Sequence, residues 1–316
     1  MATKSKNVIS REAQLLEKVK RLGVQAMFSD DELLDELVLK GGNAMALVHR
    51  LSARASVDLD FSMSHDFPDG IEVVQARIEK ALKTTFRDNG FEVFDLKMAE
   101  NPKAISEDMA DFWGGYGVEF KLITADIFKL HSADIESLRK HALSIGQGKK
   151  FLIDISRFEY TLDKQQVDFD GYRIYVYSPE MIVCEKLRAI CQQMPEYGPI
   201  IKRARAGSAR ARDFIDIHVL VDALKLDLTS EKNKQMLARM FELKKVPLSF
   251  LGHIAAYYDF HRADFPAVQA TMVAGANVRD FDFYFNFTQD LVNSLKPLWD
   301  EETPSLDVAR FTHPIS

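Results

Sequence analysis

Apolar residues recur along this chain with two different periods. Alternation of apolar and polar residues predicts strands, because successive side chains of a strand face opposite sides of a sheet. Apolar residues three or four positions apart predict helices. The first 177 residues mix the two patterns. The predicted strands are 37–40, 57–61, 91–98, 117–127, 151–155 and 172–177, and the predicted helices are 9–28, 30–36, 71–87 and 132–145.

The pattern changes at Ser178-Pro179, which has the form of a helix start with serine as the cap and proline in the first turn. From this point the spacing is helical to the end of the chain. We therefore predict an α+β fold, with a sheet-containing domain over residues 1–177 and a helical domain over residues 178–316. The predicted helices of the second domain are 181–194, 209–224, 231–243, 249–258 and 281–298.

The composition is that of a globular protein, with 316 residues, 47% hydrophobic and 28% charged. No apolar run approaches the roughly 20 residues that span a bilayer, and the polar N-terminus lacks the apolar core of a signal peptide. Cys184 and Cys191 lie two helical turns apart, a spacing that favours buried reduced thiols over a disulfide. These observations predict a cytoplasmic protein without a membrane partner.

A glycine turn follows the first predicted strand. Lys40 ends that strand, Gly41 and Gly42 break it, and a helix is expected to open at Asn43, a residue type that caps helices well. Glycine lets a polyanion approach the backbone closely, and the first amides of a helix are ready donors to phosphate. The turn therefore predicts a phosphate site, although Gly-Gly by itself is typical of any tight turn.

Two carboxylates follow on the next predicted strand. Asp58 and Asp60 alternate with apolar residues, so both face the same side of the sheet. Such neighbours repel each other unless a cation lies between them, and oxygen ligands favour Mg²⁺ or Mn²⁺. The alternative interpretation is a solvated face or a salt-bridging pair. Combined with the glycine turn, the pair predicts a nucleoside triphosphate (NTP) site for phosphoryl or nucleotidyl transfer.

These segments, KGGNA at 40–44 and RASVDLDF at 54–61, resemble the opening motif of the AbiEii/AbiGii-type toxins. Those proteins are minimal nucleotidyltransferases of the DNA polymerase β superfamily and the toxin half of bacterial toxin–antitoxin and phage-defence systems. The resemblance implies a polymerase β-like domain with a mixed sheet, followed by a helical domain. Asn43 departs from it, because relatives usually have Thr or Ser there. The implied nucleotide-binding residues are Lys40, Gly41, Gly42, Asn43, Arg54 and Ser56.

Sites of this superfamily add a third carboxylate from a neighbouring strand. Asp154 is the lone acid of the predicted strand 151–155, and the segment LIDIS resembles the corresponding part of the family. A carboxylate there would bind metal with Asp58 and Asp60, or accept the proton of the attacking hydroxyl. Glu119 is the competing candidate, and either acid could instead form an ion pair with a neighbouring lysine.

Two later segments complete the resemblance. EKLRA at 185–189 is similar to the lysine motif of the family, in which Lys186 would reach the triphosphate. RDFID at 212–216 is similar to its final motif, in which Asp213 would steer Lys186 or contact the nucleotide. Asp216 shares the helix face of Asp213. The alternative is an ordinary ion-pair network.

The resemblance implies a metal-dependent transfer of a nucleoside monophosphate from an NTP to a hydroxyl, at the tRNA 3′ end, with growth arrest as the outcome and a cognate antitoxin as partner. A small-molecule or protein hydroxyl is the first alternative, and a catalytically silent binding module is the second. The net charge of −6 requires any RNA contact to be local. A basic stretch before Asp213 is either such a contact or a solvated loop: Lys202, Arg203, Arg205, Arg210 and Arg212.

Overall fold

The structure is a computed structural model that describes residues 2–51, 58–144, 148–272 and 278–300, with side chains from residue 12 onward. The chain forms two compact units: Met1–Arg50 with Ala55–Ser178, and Leu51–Arg54 with Pro179–Ser316. Across the described ranges, no helix combines the length and the apolar character needed to cross a membrane.

A seven-stranded sheet forms the centre of the first unit, in the order β3-β4-β5-β2-β1-β7-β6. Strand β2 runs parallel to β5 and antiparallel to β1, while β1 runs parallel to β7, so the sheet is mixed, as predicted. The strands are β1 (Val38–Lys40), β2 (Leu59–Ser62), β3 (Phe91–Asn101), β4 (Gly115–Thr124), β5 (Phe151–Ser156), β6 (Gln165–Phe169) and β7 (Tyr172–Val176).

The two faces of this sheet differ in burial. Along β5, Phe151, Ile153 and Ile155 are buried on one face, while the residues between them are half-buried on the other. The less buried face therefore carries the polar positions Asp60 and Asp154. The helices of this unit are α1 (Ala2–Met27), α2 (Asp31–Glu36), α3 (Gly41–Asn43), α4 (Ile71–Asp88), α5 (Ala125–His131) and α6 (Ile135–His141).

In this unit one predicted strand boundary was wrong and one strand was not predicted. Strand β4 ends at Thr124 and α5 begins at Ala125, whereas alternation predicted a strand to residue 127. The chain turns there because Thr124 adopts an extended cap conformation ahead of a helical first turn containing Asp126. Strand β6 was not predicted, because most of its residues are exposed on both faces and the apolar alternation is lost.

The second unit is helical, which confirms the predicted α+β class with a helical C-terminal region. Phe214 lies in its core against Phe281 and Phe285, with ring centroids 5.4 Å away in both cases. Cys184 and Cys191 are buried thiols, as predicted. The helices are α7 (Pro179–Cys191), α8 (Ala211–Leu224), α9 (Glu231–Leu243), α10 (Phe250–His253), α11 (Tyr258–Arg262), α12 (Phe265–Gln269) and α13 (Phe281–Ser294).

Two of the helices predicted near the C-terminus are interrupted. A 3₁₀ turn at Ile254–Tyr257 separates α10 from α11 within the predicted helix 249–258. Helix α13 ends at Ser294, and a 3₁₀ turn containing Pro297 follows, because proline cannot donate to a continuing helix.

Candidate active site

Three adjacent strands bring distant polar residues into one row. Lys40 on β1 lies opposite Asp60 on β2, and Asp60 lies opposite Asp154 on β5. Directly opposite residues share a face of the sheet, with Cβ atoms about 5 Å apart. The register therefore brings Asp60 and Asp154 together on the less buried face, beside the strand that ends at the glycine turn.

The glycine turn lies directly against Asp60. Gly41 has a φ of +67°, and a Cβ added there would lie 2.7 Å from Asp60 Oδ2. A side chain at this position would be strained by the left-handed backbone and would collide with the carboxylate. Glycine is thus required by the close approach of the turn, and Gly42 follows it within α3.

The predicted cap at Asn43 was wrong. Helix α3 begins at Gly41, two residues earlier than expected, and continues as a π-helical turn over Ala44–Val48. Asn43 therefore lies inside the helical segment, where its side chain makes no cap. The buried Nδ2 donates instead to the backbone carbonyl of Asp58, and Oδ1 has no hydrogen-bond partner among the described residues. Asn43 thus fixes the backbone that leads into β2.

The carboxylates of this site repel each other. Asp58 is exposed immediately before β2, and Asp154 is half-buried on β5. Burial raises the pKa of Asp154, the negative charge of Asp58 raises it further, and the positive charge of Lys40 opposes both. Such oxygen donors suit a hard divalent cation by chemistry and charge. Among the described residues, however, no three His, Cys, Asp or Glu side chains form a group that could hold a metal ion.

Glu119, the competing third carboxylate, has a different neighbourhood. It lies opposite Leu152 on β5, and the residue opposite Asp154 on β4 is Gly117. The Glu119 carboxylate accepts a hydrogen bond from Lys150 Nζ at 2.5 Å. Thus Asp154 lies in the row with Asp60, while Glu119 forms an exposed ion pair. The predicted nucleotide-binding residues Arg54 and Ser56 lie outside the described residues.

The ammonium of Lys40 lies near the end of strand β5. Lys40 Nζ donates to Ser156 Oγ at 3.0 Å and lies 3.9 Å from Glu159 Oε1. Lys40 and Glu159 are both buried. Sequence reasoning missed Ser156 and Glu159, because Ser156 is 116 residues from Lys40 along the chain and neither residue belongs to a recognisable motif.

The second unit contains a buried ionic cluster of its own. Lys186 on α7 places its Nζ 3.0 Å from Asp213 Oδ1 and 2.7 Å from Asp216 Oδ2, both on α8. Arg210 Nε lies 2.5 Å from the other oxygen of Asp213. Two basic and two acidic side chains therefore balance each other in this cluster, and the lysine, with both aspartates, is buried.

Burial and charge act in opposite directions on Asp213. Burial alone would raise its pKa, but the charges of Arg210 and Lys186 outweigh burial and hold the pKa well below its usual range. His261 adjoins this cluster and accepts a hydrogen bond at Nδ1 from the backbone N–H of Arg210 at 3.1 Å. Burial lowers the pKa of His261 to about 4, so the ring is neutral at pH 7. No sequence pattern had singled out His261.

The predicted basic patch is split by the structure. Arg203 donates to the backbone carbonyls of Gln192, Gln193 and Met194, at 3.0, 3.4 and 3.3 Å. Arg210 belongs to the buried cluster. Of the five basic residues in this stretch, the exposed ones are Lys202, Arg205 and Arg212.

Comparisons with solved structures find several similar proteins. JHP933 from Helicobacter pylori is 20% identical, with 90% of this chain and 91% of that chain covered and a TM-score of 0.45. A putative nucleotidyltransferase from H. pylori is 17% identical, with 96% and 98% covered and a TM-score of 0.44. An antigenic nucleotidyltransferase-like protein from Paracoccidioides brasiliensis is 16% identical, with 72% and 93% covered and a TM-score of 0.31.

A search of curated proteins finds no match. The family described as nucleotidyl transferase AbiEii toxin, type IV toxin–antitoxin system, matches residues 24–287, most of the chain. This match confirms the resemblance seen in the motifs of the sequence. The chain therefore belongs to the AbiEii family of toxins, and it is a nucleotidyltransferase.

Proposed function

We propose that this protein transfers a nucleoside monophosphate from an NTP to a hydroxyl at the tRNA 3′ end. The observation that supports this most is the strand register that sets Lys40, Asp60 and Asp154 in one row, with Gly41 against the Asp60 carboxylate. A backbone turn accessible to phosphate beside two carboxylates is what nucleotidyl transfer needs.

The reaction is an in-line displacement at the α-phosphorus. The acceptor oxygen forms a bond to this phosphorus, and the bond from phosphorus to the bridging oxygen of pyrophosphate breaks. The hydroxyl proton passes to Asp154 if this carboxylate acts as the base; in the alternative, Asp154 is the third metal ligand. Asp58, Asp60 and Asp154 are the metal ligands that the resemblance implies. Because these three described residues do not form a metal-binding group in this structure, their side chains would have to move closer together to hold Mg²⁺ or Mn²⁺, which would supply positive charge to the transferring phosphoryl group.

The nucleotide phosphates would be bound by the backbone of Gly41 and Gly42. Asn43 contributes indirectly, because its side chain holds the backbone of Asp58. The contact of Lys186 with the triphosphate stays a prediction from the resemblance; within the second unit this lysine is buried and its ammonium is bound by Asp213 and Asp216. The roles of Arg54 and Ser56 in nucleotide binding remain predictions from the resemblance.

The proposed RNA contact is limited to the exposed part of the basic stretch. Lys202, Arg205 and Arg212 are exposed, whereas Arg203 and Arg210 bind groups of their own unit. Exposed cations contribute affinity for RNA phosphates that falls with salt. Replacing Lys202 and Arg205 by glutamate should therefore weaken tRNA binding at low salt more than at high salt. A cognate antitoxin is the other expected partner of a type IV toxin.

The test is to incubate the protein with each of the four labelled NTPs and with purified tRNA, total RNA or lysate protein. Label on the tRNA 3′ end is the expected result. Label on protein or on a small molecule would show that the acceptor is that molecule and not tRNA. Absence of label with every NTP would favour the catalytically silent binding module. The Asp58→Asn/Asp60→Asn double variant is the control for contaminating activity.

A further inference from the structure

Lys40 is a buried lysine at the edge of the proposed site. It is 8% exposed, although it directly precedes the turn that is expected to hold phosphate. A buried ammonium is costly unless hydrogen bonds and opposite charge compensate it. Ser156 Oγ at 3.0 Å and the buried Glu159 carboxylate at 3.9 Å provide both kinds of compensation.

The route of the Lys40 side chain crosses the site. Strand β2, which carries Asp60, lies between β1 and β5. Lys40 lies opposite Asp60, while Ser156 lies opposite Ser62, two residues further along β2. The side chain therefore spans β2 diagonally and joins the end of β1 to the end of β5. Ser156 is two residues beyond Asp154.

Backbone hydrogen bonds hold the far end of this link. The Met63 N–H donates to the Ser156 carbonyl at 2.9 Å, and the Glu159 N–H donates to the Met63 carbonyl at 3.0 Å. Glu159 is thus tied to the segment that leaves β2, and its carboxylate is not part of a mobile surface. The ammonium of Lys40 is held by groups whose own positions are fixed.

We propose that Lys40 is a positioning residue that, through Ser156 and Glu159, locks the glycine turn and Asp154 in fixed relation, and that it is not a phosphate ligand. This inference rests on the proposed function of the site. A phosphate contact would require the ammonium to leave Ser156 and Glu159, which would break a buried ion pair.

A positioning role and a phosphate contact affect different kinetic constants. Loss of a phosphate contact weakens NTP binding and raises KM. Loss of the link leaves the phosphate cradle in place but lets Asp154 drift from the reacting hydroxyl, and a misplacement of about 1 Å lowers the rate about 100-fold. The positioning role therefore predicts a fall in kcat with little change in KM.

The experiment compares Lys40→Met and Glu159→Gln in the full chain. Each variant should lower kcat for transfer about 10- to 100-fold, with KM for NTP within about twofold of the wild type. The double variant should be no slower than the slower single variant, because both substitutions break the same link. Lys20→Met, which removes another buried lysine of this unit, is the matched control and should keep its kcat.

The inference would be overturned if Lys40→Met raised KM tenfold and retained kcat, while Glu159→Gln kept the kcat and KM of the wild type. A second readout is independent of activity. It is a double-mutant cycle on the unfolding equilibrium of the wild type, Lys40→Met, Glu159→Gln and the double variant. The link predicts coupling of at least about fivefold between Lys40 and Glu159, and coupling below twofold also overturns it. If the wild type transfers no label, the proposed function fails, and the unfolding cycle alone decides this inference.

Discussion

The two units both contain clustered aspartates, but in opposite electrostatic situations. Asp58 and Asp154 of the first unit repel each other, and the nearby charge of Lys40 only partly opposes this repulsion. Asp213 and Asp216 of the second unit are buried against Lys186, and Asp213 also contacts Arg210. The residue type is the same, so burial and opposite charge decide whether a carboxylate is available to a ligand or is occupied by the fold.

The difference has an energetic consequence. Removing repelling carboxylates from a half-buried surface changes the free energy of unfolding little, whereas removing one partner of a buried ion pair leaves an uncompensated charge. The first cluster should therefore control activity with little effect on stability. Substitutions in the second cluster should mainly lower the free energy of unfolding. A loss of activity in such a variant has to be distinguished from the loss of folded protein.

The largest effect is expected for Asp58→Asn/Asp60→Asn. The double variant loses the charge that would bind metal, which is worth about 4 kcal/mol in the transition state, so transfer should fall at least about a thousandfold. Transfer of labelled NTP to tRNA measures the fall. The midpoint of thermal unfolding should stay within about 3 °C of the wild type. A variant that retains a tenth of the activity would contradict the assignment of these carboxylates.

Lys186→Met should destabilise the second unit by about 3 kcal/mol or more, because Asp213 and Asp216 would lose an opposite charge while remaining buried. Urea unfolding followed by tryptophan or far-UV signals measures this loss. Lys232→Met, an exposed lysine on α9, is the matched control and should stay within about 0.5 kcal/mol. Equal stability of the two variants would show that Lys186 does not compensate the buried charges of Asp213 and Asp216.

His261 predicts a pH dependence specific to the second unit. Its folded pKa of about 4 lies below the ordinary 6.5, so the unfolded chain takes up the proton first as pH falls. Stability is thus fully present above pH 6.5 and is lost between pH 6.5 and 4, by about 3 kcal/mol at most. His261→Gln retains an acceptor for the Arg210 N–H and should flatten this part of the curve. An unchanged pH slope in the variant would assign it to another group.

The smallest effect on activity is expected at the glycine turn. Gly41→Ala and Gly171→Ala both place a side chain at a left-handed backbone position, with φ of +67° and +82°, and the backbone strain alone should cost each variant about 1 kcal/mol. A Cβ at Gly171 meets nothing within 4 Å, whereas one at Gly41 strikes the Asp60 carboxylate. Only Gly41→Ala should therefore lose transfer activity, by about tenfold or more. Similar activity of the two variants would separate the turn from the site.

Much of the first unit could be predicted because its signals are local. Alternation over 151–155 was enough to predict β5 and to place Asp154 on it. Gly41-Gly42 marked the turn, and Ser178-Pro179 marked the start of the helical part. Strand β6 escaped because an exposed edge strand has no buried face to impose alternation.

The parts of the site that sequence could not provide depend on contacts between distant residues. Nothing around Glu159 indicates that its carboxylate faces Lys40, and nothing around His261 indicates a bond to Arg210. Asn43 shows a related difficulty: its type favours a cap, but the helix had already begun at Gly41, so the amide turned to Asp58. Side-chain direction was decided by tertiary structure in all three cases.

The link from Lys40 to Ser156 joins residues 116 positions apart, and Asp154 lies at the distal end of that span. During synthesis on the ribosome, the glycine turn and Asp60 are made long before Asp154 and Ser156. An incomplete nascent chain therefore holds no assembled site. The reaction of this toxin therefore begins only after synthesis has passed Ser156.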